Sequence, residues 1–332
     1  MASLGLEAAL AVLRAASEDT RLRILALLAA GELSVSDLTD ILGQSQPRIS
    51  RHLKLLVEAG IVSRHREGAW AFFRLADGSA PRALVAPILA ALAPGDRRLA
   101  DDRERLAAVR TQRAAAAQAF FARLAPQWDR TRSLQVSEEA VETAILEAVG
   151  PDQVRTLLDV GTGTGRILQL LAGQADRAVG LDSSPAMLSV ARANLGRAGL
   201  TRVELRQGDV YAPPLPRESF DLVVVHQVLH YLDDPARALA EAARLVAPGG
   251  RLLVVDFAPH GLEFLRETQA HRRLGFAPGQ FVEWLAEAGL TVGLTRDLPP
   301  PDEAAGKLTV SLWLATDRRD AAAPAGSLRE VA

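Results

Sequence analysis

Cysteine is missing from all 332 residues of the chain. Its absence excludes disulfide bonds, thiolate metal sites and thiol catalysis. The sequence also lacks an apolar run of the roughly 18 residues that a membrane span needs. Its N-terminus lacks the basic segment, apolar core and cleavage site of a secretory signal. We therefore expect a cytoplasmic protein that does not enter a membrane.

The length and the changing pattern of the chain predict two domains, because 332 residues exceed the usual size of one hydrophobic core. Residues 1–93 combine short helical patterns with one hairpin-like run, and residues 94–126 are typical of a connecting helix. Residues 127–316 alternate β-type runs with amphipathic helices, which predicts an α/β domain with a parallel sheet. Residues 317–332 are expected to form a disordered tail.

Two helices joined by a tight turn are predicted in the first domain. Ser34 is a suitable N-cap, and Gly43 suits the left-handed stop of the helix that follows it. A second helix is expected from Gln46, with Pro47 in its first turn, where a missing N–H has no cost. This pattern predicts a helix-turn-helix.

The second of these helices is predicted to be two-sided. At 100° per residue, Ile49, Leu53 and Leu56 fall on one side, which would pack against the domain. The polar candidates for contact with double-stranded DNA on this helix are Gln46, Arg48, Ser50, Arg51, His52 and Lys54.

Residues 61–75 form two β-prone runs around a Glu67-Gly68 turn, as in a wing, and they add Arg66 to the DNA-binding candidates. The segment from Ser45 to Arg74 contains six Lys and Arg residues and only two acidic residues. A net charge of −2 for the whole chain therefore hides a local basic surface of the kind that phosphate contacts need.

Residues 32–38 and 46–56 closely resemble the ArsR/SmtB family of dimeric winged-helix repressors. The resemblance implies a homodimer, with the first helix and the apolar residues 83–92 as the dimer surface. The alternative is a winged helix that serves only dimerisation, as in plant-type O-methyltransferases. The basic recognition face favours DNA binding.

The metal sites of that family are missing from this sequence. Family members that sense metals typically carry cysteines at the positions of Ser34 and Ser36, and a hydroxyl is a poor ligand for soft metals. A second family site uses histidines after the wing, yet no histidine lies between His65 and His226. We expect no metal.

Residues 157–165 of the second domain form a strand that runs into a glycine turn, followed by a helical pattern. Gly161 and Gly163 would let the backbone approach a ligand closely. A dinucleotide fingerprint would need glycine at position 166, where Arg166 stands, and the Gly-Lys-Ser/Thr of a phosphate loop is absent.

The following strands place acidic residues at regular intervals. A second strand ends at Asp182, which can hold two ribose hydroxyls, and a third ends at Asp209, which suits an adenine amino group. Residues 220–226 and 245–256 are expected to be the next two strands. Ligands of such open sheets bind beyond the carboxyl ends of the strands, where these residues fall.

Residues 120–316 resemble the class I S-adenosylmethionine (SAM)-dependent methyltransferases, particularly the ubiquinone-biosynthesis-like group. The resemblance implies a Rossmann-like sheet of seven strands, closed by a hairpin of residues 290–295 and 307–315, and a site for SAM or S-adenosyl-L-homocysteine (SAH). It places the glycine turn along the methionine part, Asp182 at the ribose, and Asp209 with Val210 at the adenine. The full set of cofactor candidates is Asp159, Gly161, Thr162, Gly163, Asp182, Ser183, Met187, Asp209, Val210, His226 and Gln227.

Four histidines follow the fourth and fifth strands, on the side where a substrate would sit: His226, His230, His260 and His271. Histidines there are candidates for catalysis, because methyl transfer needs a deprotonated nucleophile. His226 is the first candidate, followed by His230, Asp256 and His260. The alternatives are that these residues bind the cofactor, cap loops or, together, hold a metal. Arsenite methylation uses cysteine thiolates in its family, so it is rejected.

The sequence as a whole predicts a DNA-binding transcriptional regulator whose SAM- or SAH-binding domain senses a ligand, methylates a small molecule, or does both. The alternative is a small-molecule methyltransferase that uses its winged helix only to dimerise.

Overall fold

A computed structural model describes residues 4–67, 70–76, 79–93, 95–125, 138–152, 154–200, 203–300 and 308–319. The chain divides into two compact units, Met1–Ala116 and Ala117–Ala332. Within the described ranges, no helix is both long and apolar enough to span a membrane.

The first unit is mainly helical, with one small antiparallel sheet in the strand order β1-β3-β2. Its elements are α1 (Leu6–Ala16), α2 (Asp19–Leu28), β1 (Leu33–Ser34), α3 (Val35–Leu42), α4 (Gln46–Glu58), β2 (Val62–Glu67), β3 (Trp70–Leu75), α5 (Ala80–Ala91) and α6 (Arg97–Leu124).

Local signals set the bounds of α3 and α4. The Ser34 hydroxyl accepts from the Asp37 amide, and the Asp37 carboxylate accepts from the Ser34 amide, which makes a reciprocal capping box. Gly43 ends α3 in the left-handed conformation, with φ of 63°. Helix α4 begins at Gln46 with Pro47 in its first turn. The predicted helix-turn-helix is confirmed, and strands β2 and β3 form its wing.

Helix α6 is anchored to this unit by arginines. Asp102 accepts two hydrogen bonds from the Arg23 guanidinium of α2, each of 2.7 Å. Arg105 donates to the Ile41 carbonyl of α3 at 2.8 Å, and Leu106 is buried in the core of the unit. The boundary between the two units falls inside α6, so the predicted connecting helix contributes its larger, N-terminal part, up to Ala116, to the winged-helix unit.

The second unit is built on a seven-stranded sheet in the order β6-β5-β4-β7-β8-β10-β9, in which β10 alone runs antiparallel to its neighbours. Its elements are α7 (Glu138–Val149), β4 (Val154–Val160), α8 (Arg166–Leu171), β5 (Ala175–Asp182), α9 (Pro185–Arg197), β6 (Val203–Gln207), β7 (Phe220–His226), α10 (Pro235–Leu245), β8 (Val246–Phe257), α11 (Phe264–Thr268), α12 (Pro278–Glu287), β9 (Leu290–Leu298) and β10 (Val310–Asp317).

Apolar side chains cover both faces of this sheet, which explains the continuous hydrophobic strands. On one face, Leu158 of β4 belongs to a cluster with Leu239 of α10 and Phe281 of α12. On the other face, Leu157 packs in a cluster with Ile145 of α7. The predicted Rossmann-like architecture of seven strands is confirmed.

The closing hairpin is longer than the sequence indicated. Strand β9 continues to Leu298, and β10 reaches Asp317, which pairs with Leu290. Asp317 was expected to start the disordered tail, but its backbone completes a strand. Residues 320–332 lie outside the described part of the chain.

Candidate functional site

The glycine turn after β4 holds two glycines in different surroundings. Gly161 has φ of 72°, and a Cβ atom added there would meet the Val228 side chain at 2.4 Å. Gly163 has φ of 52°, and an added Cβ would find no atom within 4 Å. The space beside Gly161 is therefore filled by Val228, whereas the backbone at Gly163 is open to a ligand.

Asp159, near the end of β4, contacts the glycine turn through its side chain. Its side chain accepts a hydrogen bond of 2.6 Å from the Thr162 hydroxyl, and both residues are buried, with 1% and 6% exposure. In this arrangement Asp159 and Thr162 contact each other and present little surface to a ligand.

Asp182 joins the ends of β5 and β4. One carboxylate oxygen accepts from the Gly163 amide at 2.8 Å, and the other accepts from the Ser184 amide at 2.8 Å. Burial raises the pKa of Asp182, and these backbone hydrogen bonds act in the opposite direction. Ser183 is exposed beside it, and Met187 is buried in α9.

Asp209 follows β6, the strand next to β5. It is exposed, and its carboxylate accepts from the Tyr211 amide at 2.9 Å. Val210 is half-buried between them. Because β6, β5 and β4 are neighbours, Asp209, Asp182 and the glycine turn form a row along the carboxyl edge of the sheet.

A small cleft continues this row beyond β4. Its lining residues are Glu138, Val141 and Glu142 of α7, Arg166 and Ile167 of α8, and His226 and Gln227 at the end of β7. Arg166 and Glu142 form a bidentate ion pair in it, with N–O distances of 2.6 and 2.7 Å. Gln227 has a positive φ of 53°, and its amide donates to the Val255 carbonyl at 2.7 Å.

His230 and Asp256 form a buried pair, with exposures of 1% and 0%. Asp256 Oδ1 lies 2.7 Å from His230 Nδ1 and also accepts from the Phe257 amide, while Oδ2 accepts from the Leu229 amide. With a carboxylate oxygen as the acceptor in this contact, Nδ1 is the donor, and Nε2 is the ring nitrogen that faces away from Asp256. His230 Nε2 is buried, with no hydrogen-bond partner in the described part of the chain.

Two more histidines complete what we call the histidine cluster, namely His230, His260 and His271 with Asp256. The ring of His271 lies 4.3 Å from that of His230 and stacks on Phe257. Burial lowers the pKa of His260 to about 4 and also lowers the pKa of His271. The structure thus brings three of the four catalytic candidates together with His271, the remaining histidine expected on the substrate side, and places His226 in the cleft instead.

His271 follows the fifth strand, as His260 does, but its distance of eleven positions from His260 gave no sign that the two approach. The chain between them turns back, and the amides of Arg272 and Arg273 donate to the His230 carbonyl. In the described ranges, no group of three or more His, Asp or Glu side chains has the geometry of a metal site.

Helix α4 carries the candidate DNA contacts as predicted from its periodicity. Ile49, Leu53 and Leu56 are buried at 0–1% exposure. The exposed side, which we call the basic face, consists of Gln46, Arg48, Ser50, Arg51 and Lys54.

Two further DNA-binding candidates lie outside the basic face. His52 is half-buried, 3.5 Å from the Glu18 carboxylate, and burial lowers its pKa. Arg66 lies in β2, but its side chain is outside the described part of the structure.

Comparison with known proteins matches both units. The model of a bacterial regulatory protein of the arsR family matches residues 18–64, and that of a methyltransferase domain matches residues 158–254. A demethylmenaquinone methyltransferase of Thermus thermophilus is 34% identical over 42% of this chain and 65% of its own length. A 2-phytyl-1,4-naphtoquinone methyltransferase of Thermosynechococcus vestitus is 34% identical over 46% of this chain and 69% of its own.

Among solved structures, the N-methyltransferase NodS of Bradyrhizobium japonicum in complex with SAH matches with a TM-score of 0.45 and 22% identity. That match covers 54% of this chain and 87% of NodS. The chain spans just under two thirds of the length of the Thermus relative, and its match to the arsR-family model lies N-terminal to its match to the methyltransferase-domain model.

Proposed function

Because the chain belongs to the methyltransferase-domain family and carries an arsR-family regulatory domain, we propose that it is a DNA-binding transcriptional regulator whose methyltransferase domain binds SAM or SAH. The row formed by Asp209, Asp182 and the open backbone at Gly163 is the observation that carries the cofactor part of this proposal.

The residues present fit an adenosyl group. Asp182 would hold the ribose hydroxyls with a carboxylate that backbone amides already orient. Asp209 is exposed and would accept from the adenine amino group, with Val210 beside it. When bound, SAM supplies an electrophilic methyl group on a sulfonium.

DNA binding rests on the basic face of α4, which exposes Arg48, Arg51 and Lys54 opposite a buried apolar side. Three cationic side chains on one recognition helix suit a phosphate backbone.

A homodimer would place two such helices on one duplex. Helix α1 exposes Leu6, Leu10 and Leu13 along one stripe, at 79%, 42% and 40%, and α5 exposes Ile88 at 37%. Apolar residues in such a row on α1 and α5 support these helices as the dimer surface.

Coupling between ligand and DNA would pass through α6. This helix contains the boundary between the units, and Arg23 and Arg105 tie its first half to α2 and α3. A change of position or order in its second half would thus reach the helices that hold α4.

The test is DNA affinity at several SAH concentrations, measured by fluorescence anisotropy with DNA from upstream of the gene as the probe. We expect SAH or SAM to change the dissociation constant by a factor of roughly five or more, as coupling free energies of 1–3 kcal/mol imply. An affinity for DNA that both ligands leave unchanged at saturation would exclude coupling. A protein that bound no DNA under any of these conditions would contradict the proposed regulatory function.

A second candidate function is methylation of a small molecule, and the His230–Asp256 pair favours it. Such a pair holds an imidazole in the tautomer of a general base, with the carboxylate stabilising the imidazolium. His230 Nε2 would take the proton that the methyl acceptor loses as its new bond to carbon forms, and SAH would leave as a neutral thioether.

Release of SAH from SAM in the presence of candidate acceptors, such as hydroxylated naphthalenes, tests this second function. A His230→Gln variant should lose turnover and retain SAH affinity. If Arg48→Gln with Arg51→Gln abolished regulation in cells while methyl transfer was intact, the winged helix would serve more than dimerisation.

A further inference from the structure

Two of the positions expected to hold the amino-acid end of the cofactor, Asp159 and Gly161, are already occupied by contacts within the protein. Asp159 is 1% exposed, and its carboxylate is bonded to the Thr162 hydroxyl. The space next to Gly161 is filled by Val228. Neither residue is placed to hold an α-ammonium or an α-carboxylate group.

The strand order indicates where that end of the molecule lies. With adenine at Asp209 on β6 and ribose at Asp182 on β5, the rest of the cofactor must extend over β4 toward β7. Neighbouring strands are spaced by about 4.8 Å, so β7 lies roughly 10 Å from β5 across the sheet. His226 and Gln227, which line the cleft, stand at the carboxyl end of β7.

This cleft contains one cation and one anion side by side. Arg166 donates through Nε and Nη2 to the two carboxylate oxygens of Glu142. The pair is partly accessible, with 41% of the Arg166 side chain and 18% of the Glu142 side chain exposed. Opposite charges held together at this spacing are complementary to a zwitterionic α-amino-acid group.

We propose that Arg166 and Glu142 bind the α-amino-acid group of SAM and SAH, with the guanidinium on the carboxylate and Glu142 on the ammonium. This inference rests on the proposed cofactor binding. It also gives a role to the residue that stands where a dinucleotide fingerprint would have its last glycine.

A purely structural role for the same pair is the alternative, since it ties α7 to α8. The two roles differ in their dependence on the ligand. A structural pair affects every ligand of the site equally, whereas an amino-acid clamp affects only ligands that carry the amino-acid group.

The experiment compares SAH with 5′-methylthioadenosine, which keeps the adenosyl and thioether groups and lacks the amino acid. Both are titrated calorimetrically into the full chain and into Arg166→Gln, Arg166→Lys and Glu142→Gln. The matched control is Arg155→Gln, which removes an ion pair with Asp221 at the far, amino-terminal end of β4.

We expect Arg166→Gln and Glu142→Gln to weaken SAH binding roughly tenfold, as loss of a partly screened charged hydrogen bond implies. Binding of 5′-methylthioadenosine should stay within about twofold, since it makes no contact with the pair. Arg166→Lys should fall between wild type and Arg166→Gln for SAH, because it keeps the charge and loses the bidentate geometry. Arg155→Gln should leave both affinities unchanged.

Equal losses of affinity for SAH and 5′-methylthioadenosine would overturn the role of Arg166 and Glu142 but not the proposed cofactor site. An SAH affinity unchanged in both Arg166→Gln and Glu142→Gln would have the same meaning. Retained binding of 5′-methylthioadenosine also shows that a variant is folded. A wild-type chain that bound neither ligand would overturn the proposed function and this inference together.

Discussion

The ion pair of Arg23 with Asp102 fastens α6 to α2, and its removal should destabilise the winged-helix unit more than any surface pair. The Asp102 side chain is only 2% exposed and that of Arg23 is 16% exposed. In Arg23→Met, the carboxylate would keep one cation nearby, the Arg105 guanidinium at 3.5 Å. Breaking a buried pair from one side costs about 3–5 kcal/mol, and the remaining cation favours the lower end, about 3 kcal/mol.

This loss would be a large part of the stability of the unit, because domains of this size are stable by about 5–15 kcal/mol. The assay is urea denaturation together with hydrogen exchange, followed by mass spectrometry on peptides from α2 and α4, which isolates the winged-helix unit within the full chain. The comparison variant Arg98→Met breaks an exposed pair with Asp19, so we expect a loss of at most about 1 kcal/mol from it.

The double variant Arg23→Met with Asp102→Leu separates loss of the pair from burial of a lone charge. It removes both charges and should regain most of the stability, to within about 1 kcal/mol of wild type. A loss below about 1 kcal/mol in Arg23→Met, or a double variant as unstable as the single one, would refute the reasoning.

Three further results are expected. Arg48→Gln with Arg51→Gln should lower the slope of log affinity against log salt by about 1.8 per bound protomer, at about 0.9 per phosphate contact. Salt titrations of DNA binding measure this slope. The control Arg97→Gln, which changes an exposed arginine at the start of α6, should leave the slope unchanged. Leu10→Glu should shift a dimer to monomers in light scattering, because it places charge in the exposed apolar stripe of α1, and an unchanged mass would argue against that surface. The pKa of His260 is lowered from 6.5 to about 4, so the unfolded chain binds the extra proton between these values. Stability of the second unit should therefore fall as the pH drops from about 6.5 to about 4, and His260→Gln should flatten that dependence in urea titrations at each pH.

The features that the sequence predicted correctly depend on short-range rules. The capping box at Ser34 and the left-handed stop at Gly43 involve neighbours in the chain, so their residue types sufficed. The row of Asp182 and Asp209 followed from a rule of topology, because carboxyl ends of parallel strands share one edge.

Other features of the site depend on packing between distant segments. Val228 fills the space beside Gly161, although 67 positions separate them along the sequence, and periodicity says nothing about such contacts. His271 joins His230 only because the chain after β8 folds back over it. The pairing of Arg166 with Glu142 likewise depends on the face that α7 presents to α8.

Ser34 occupies a position at which metal-sensing members of the resembled family carry a metal ligand, but its side chain has a different role in this chain. The resemblance to metal-sensing repressors puts a ligand there, and this chain has a hydroxyl that accepts from the Asp37 amide instead. Ser34 is 2% exposed and its backbone amide donates to the Asp37 carboxylate in return, so its hydroxyl and its amide are both used inside the fold. A cysteine at this position would weaken the cap, since sulfur is a poor acceptor from an amide. The helix-turn-helix thus gains a firmer start to α3 at the position where a metal-sensing repressor would have its ligand.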